Sequence, residues 1–91
     1  LRREREAALA RAKYLGEIAN KEPAVWDEIE TLIATKQPAS YDRAVALLID
    51  LRDAAAAQGR EQGFVNRFEI LRQGQARKPS LLLKIDRSGL R

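Results

Sequence analysis

Residue types able to carry covalent, acid–base or metal chemistry are sparse in this 91-residue chain, which has no histidine and no cysteine. Their absence removes the usual general base, the thiol nucleophile and the main ligands of zinc, copper and iron. Disulfides are excluded with them. The serines Ser40, Ser80 and Ser88 stand where helix caps or helix ends are expected. The carboxylates gather as Asp27, Glu28 and Glu30, and as Asp42, Asp50 and Asp53. Asp50 and Asp53 are one helical turn apart and could share a cation, but a hard-metal site wants more converging oxygens. Both groups are therefore expected on solvated helix faces. No glycine-rich phosphate loop is present. The chemistry points away from an enzyme, with no catalytic residue, cofactor or metal site expected.

Binding chemistry is better represented. The net charge is +4, and Arg72, Arg77, Lys78, Lys84, Arg87 and Arg91 crowd the C-terminal part with few balancing acids. The basic excess sits at the two ends of the chain, with a mildly acidic middle over residues 21–58. Such a cationic cluster can neutralise phosphates and so contact nucleic acid without sequence preference. No aromatic residue interleaves with it, so stacking on bases is not supported. The plainer reading is a solvated, solubilising surface. Tyr14, Trp26, Tyr41, Phe64 and Phe68 fall on apolar stripes and are expected inside, because a domain this small needs its large side chains in the core. Trp26 is the one that could instead lie at an edge and form a partner surface, since indole is often only partly buried.

The elements that must position these residues all read as helices. Residues 1–20 are rich in Ala, Arg, Glu and Leu, with Leu1, Ala8, Leu9, Ala12, Leu15, Ile18 and Ala19 at helical spacing. Pro23 opens a second helix carrying Val25, Trp26, Ile29, Leu32 and Ile33. Ser40 is the expected N-cap of a third, over 40–58, whose apolar residues cover more than half its circumference. A helix so apolar must be sandwiched, and it is expected at the centre. Gly59 stops it, and the short Gln58-Gly59-Arg60 link predicts an antiparallel hairpin with a fourth helix over 61–73. Gly63 in that helix's first turn suggests a close helix approach, and Gly74 marks its end. A short fifth helix begins near Pro79 and ends with Gly89 at C′, pairing Ile85 with Leu90 across a Schellman motif.

The expected fold is all-α: a compact bundle of four to five short-linked antiparallel helices, with helical-hairpin packing that weakly resembles tetratricopeptide repeats. Residues 1–12 are expected to be a charged helical linker or the start of the first helix, and 13–91 a single helical domain. The chain holds no methionine, which is expected of a piece of a longer protein. With no apolar run of membrane-spanning length and no signal-peptide pattern, a cytoplasmic location is expected.

Three stretches carry a family resemblance. They are Leu32 to Pro38 running on to Tyr41-Asp42, Leu48 to Asp53, and Ala76 to Leu82 with Ile85 to Leu90. Together with the Tyr14-Leu15 start after an Arg/Glu/Ala-rich helix, they resemble the C-terminal helical region of bacterial SWIM zinc-finger proteins, over about residues 13–90. The resemblance implies a parent protein with a SWIM zinc-binding module elsewhere, a type associated with DNA or protein binding. The ligands of that module are absent here, so no zinc residue carries over, and the chain would be an accessory helical tail of otherwise unknown function.

Two functions follow. One is an interaction domain that docks a protein, another domain of the parent, or a second copy. The other is a nucleic-acid-binding accessory domain using Arg72, Arg77, Lys78, Lys84 and Arg87. An exposed apolar groove beside Trp26 or the first helix favours the former. A continuous positive face joining those cations to Arg11 and Lys13 favours the latter.

Overall fold

The helix-forming runs and their punctuation give five helices in the computed structural model, which describes residues 2–90: α1 (Arg2–Asn20), α2 (Glu22–Ala34), α3 (Pro38–Ala57), α4 (Glu61–Gly74) and α5 (Pro79–Arg87). No strand occurs among the described residues. The all-α bundle expected from the sequence is the fold observed. Leu1 and Arg91, placed above in an apolar stripe and in the basic stretch, lie outside the described residues. Among the described residues, no helix is long and apolar enough to cross a membrane.

Two helix stops follow the expected glycine chemistry. Gly59 takes a left-handed φ of 68°, the Arg60 N–H donates to the Ala55 carbonyl at 2.8 Å, and the Gly59 N–H donates to Ala56 at 3.3 Å. This is a Schellman motif. Gly89, at φ 82°, closes α5 similarly, with its N–H on the Asp86 carbonyl. Here the Ser88 hydroxyl substitutes for the outer bond, donating to the Ile85 carbonyl at 2.6 Å and accepting the Leu90 N–H at 3.3 Å. Ile85 and Leu90 are both buried, as the motif requires.

Other boundaries differ from the sequence expectation. Helix α3 begins at Pro38 with Gln37 as its extended N-cap, so Ser40 lies inside the first turn and caps nothing. Proline at the first helical position has its φ already set and lacks only an N–H that would be unpaired anyway. Gly74 is the last residue of α4, and the C-cap Gln75 that follows is not left-handed. Gly63 permits no close approach, because a Cβ there would meet nothing within 4 Å. The left-handed residue after α2 is a lysine: Lys36 has φ 59°.

Helix α3 occupies the centre, packing against α1, α2, α4 and α5. It buries Tyr41, Ala44, Val45, Leu47, Leu48, Leu51 and Ala54 on several sides. Against it lie Ile29 and Ile33 of α2, Phe68 of α4, and Leu81 and Ile85 of α5, all nearly inaccessible. Trp26, Phe64 and Phe68 stack in series, with ring centroids 6.0 and 5.5 Å apart, a geometry that adds to their area burial. Helix α1 packs on α3 through its C-terminal half only. Ile18 is its one buried residue, Tyr14 and Leu15 are half-buried, and residues 2–13 are exposed.

Two substitutions test this packing. Leu48→Ala, at a fully buried position of α3, should lower unfolding free energy by roughly 2–5 kcal/mol. Lys36→Gly should raise it by about 1 kcal/mol, because glycine adopts the left-handed conformation without a Cβ clash. Urea unfolding monitored by helical circular dichroism measures both.

Candidate functional site

Helix α1 is fixed to α3 by a polar cluster built from matched spacings. Arg11 and Tyr14, three residues apart, face Asp50 and Asp53, also three apart, and this register puts each pair on one helix face. The Tyr14 hydroxyl donates to Asp50 Oδ2 at 2.7 Å. Arg11 spans both carboxylates, with Nη1 2.9 Å from Asp50 Oδ1 and Nη2 2.9 Å from Asp53 Oδ2. The guanidinium also lies 5.6 Å from the centre of the Tyr14 ring. The cation that Asp50 and Asp53 share is therefore a guanidinium.

Asp50 is only 9 % exposed and is the one buried charged residue among those described. The solvated face expected for it is corrected: its neighbours Leu47, Leu51 and Ala54 are core residues, and α1 covers its carboxylate. Both Asp50 oxygens are engaged, so a buried charge that would be expensive alone is neutralised and hydrogen-bonded. The Tyr14 phenol is pushed above its ordinary value, first by the hydrogen bond to Asp50, then by burial and by the Asp50 charge. Arg11 is likewise raised, chiefly by its bonds to Asp53 and Asp50. A phenol that holds its proton and a carboxylate whose oxygens are both occupied form a structural clamp rather than an acid–base pair.

Beside the clamp runs a groove between α1 and α3, lined by Ala8, Arg11, Ala12, Leu15 and Gly16 on one wall and by Ala54, Ala57 and Gln58 on the other. Its volume is about 470 Å³. Ala8, Ala12 and Gly16 recur every fourth residue, so the α1 wall is a strip of small side chains. A Cβ at Gly16 would meet nothing within 4 Å. Leu9, on the outward side of the same strip, is 71 % exposed.

The residues singled out from the sequence separate in space. Trp26 is 4 % exposed, stacked on Phe64, with the Arg67 guanidinium 5.3 Å above its ring. Its place at an edge or partner surface is corrected: the indole fills the angle between α2 and α4. Of the basic residues, Lys84 is paired with Asp42 at 2.7 Å. Arg72 lies 3.8 Å from Asp86 and 5.8 Å over the Phe68 ring. Arg77, Lys78 and Arg87 make no ion pair with any described residue. Arg11, which would have extended a positive face, is spent on Asp50 and Asp53. No three acidic side chains converge as a cation site among the described residues. Comparison with protein-family models, curated proteins and solved structures returns no match to this chain.

The clamp makes stability respond to alkaline pH. Unfolded Tyr14 ionises near 10, whereas in the fold its proton is held more tightly. Its contribution is complete below that pH and is lost as pH rises through the folded value. At neutral pH, Tyr14→Phe should cost about 1 kcal/mol. Urea midpoints of the two proteins should converge above pH ~10; a gap that stays constant with pH would rule the bond out as the cause.

Proposed function

We propose that this chain is a non-catalytic helical interaction domain, accessory to a larger bacterial-type protein, that associates through the α1–α3 face. The observation that carries this reading is the groove lined by Ala8, Ala12, Gly16, Ala54 and Ala57, with the exposed Leu9 beside it. Small side chains let a second helix backbone approach closely, and an apolar floor rewards the loss of water. The occupant that fits best is α1 of a second copy. Its own strip is equally small and apolar, so two copies can bury the same surface against each other about a two-fold axis. Residues 2–13 of α1 are exposed, which leaves that face open.

The parent suggested by the stretches 32–42, 48–53 and 76–90 is a bacterial SWIM zinc-finger protein. In that setting the domain serves as a cytoplasmic, cofactor-free scaffold beside a zinc module it does not contain. A nucleic-acid track along the C-terminal cations draws less support, because Lys84 and Arg72 are already paired with acids.

Sedimentation velocity over a wide concentration range tests the reading. The chain should associate reversibly, and Ala12→Glu, a change at an exposed helical position, should leave it folded and monomeric. A wild-type chain that remains monomeric throughout, or a variant that associates equally well, would sink it.

A further inference from the structure

A second concavity, independent of the α1–α3 face, lies where the link between α2 and α3 meets the link between α4 and α5. The first turns of α3 and α5 both open onto it, and it encloses about 440 Å³. Lys36, Arg77 and Lys78 line it, together with Tyr41 and Ser80, and no carboxylate does. None of the three cations forms an ion pair with a described residue. The one polar contact of Lys78 Nζ is a long 3.5 Å approach to the Ile33 carbonyl.

Tyr41 is the telling residue. It is only 7 % exposed, yet its hydroxyl makes no hydrogen bond to any described residue. No fully enclosed side-chain oxygen or nitrogen lacks a partner, so this hydroxyl keeps access to solvent, and the cleft is the surface that Tyr41 lines. A phenol buried along its ring with a free O–H at a cationic cleft is a donor without an acceptor. Helices α3 and α5 add to the same potential, since neither N-terminus is capped by a side chain and each carries partial positive charge. Lys36 holds its place in the left-handed conformation that glycine would adopt more cheaply.

We infer that this cleft binds a phosphate-type oxyanion, with Lys36, Arg77 and Lys78 supplying charge and Tyr41 and Ser80 supplying hydroxyl donors. The three cations line one cleft rather than a track, which suits the dianion of a phosphate monoester or free phosphate. A nucleic-acid strand offers the same oxyanion as a phosphodiester, but Lys84 and Arg72, which would continue a track, are paired.

Amide chemical shifts in an NMR titration with inorganic phosphate, at constant ionic strength balanced by chloride, test the site. Saturable shifts confined to residues 36–41 and 76–81 are expected. Arg77→Gln with Lys78→Gln should weaken the interaction by at least about tenfold. Tyr41→Phe, which keeps the buried ring, should weaken it several-fold. Lys36→Gly should weaken it while raising stability, which separates lost affinity from lost fold. A single-stranded oligonucleotide identifies the source: no oligonucleotide binding is expected, and competition with phosphate at the same amides would retain the site but assign it to phosphodiesters. Absence of saturable phosphate shifts, or shifts unchanged in the double variant, would overturn the inference.

Discussion

Helix α3 is apolar around most of its circumference, and no single neighbour can take such a helix out of water. Its buried residues run from Tyr41 to Ala54, and four other helices pack around it. The rest of the architecture follows from covering this one surface. The stop at Gly59 turns the chain so that Phe64 and Phe68 return to the core, where Phe64 stacks on Trp26. The stop at Gly89 turns Leu90 into the core that also holds Ile85. Alanines at 44 and 54 let neighbours approach α3 closely, which compensates for the modest area they contribute.

The helices around α3 are not held alike. Helix α2 presents Val25, Trp26, Ile29 and Ile33 to the core, and α5 commits Leu81 and Ile85. Helix α1 buries Ile18, packs Tyr14, Leu15 and Ala19 partly against the core, and is further fixed by the Arg11–Tyr14–Asp50–Asp53 clamp. Polar clamps of this kind fix register well but add little net free energy, because both partners are drawn from water. An element so attached keeps its outer face available, and this links the packing to the proposed association surface. The cationic cleft lies elsewhere on the molecule, against the first turn of α3. One central helix would thus serve two separate faces.

Much of this was legible in local sequence. The centrality of α3, the hairpin at Gln58-Gly59-Arg60 and the Ile85–Leu90 stop all follow from periodicity and glycine chemistry within a few residues. The start of α3 was misread because two valid signals, Ser40 as a cap and Pro38 as a first helical residue, lie two positions apart and proline prevailed. The role of Asp50 was hidden because its partners Tyr14 and Arg11 lie on another helix, 36 positions away in the case of Tyr14. The equal spacing of Arg11 with Tyr14 and of Asp50 with Asp53 was the available clue. The C-terminal cations looked like one cluster because Asp42, which claims Lys84, comes 42 positions earlier. The core place expected for the aromatics holds for Trp26 as well, and the edge position left open for it is closed by its pairing with Phe64, which requires the α2–α4 angle. Lys36 carries no local sign of a left-handed backbone, and the cleft it lines exists only once both links are folded together.

Native-state hydrogen exchange measures directly whether α3 is the hub and the exposed N-terminal half of α1 its most weakly held neighbour. Amides of Leu47, Leu48 and Leu51 should exchange only through global unfolding, while those of residues 5–12 in α1 should exchange orders of magnitude faster through local release. Uniform protection of α1 at the level of α3 would contradict the account.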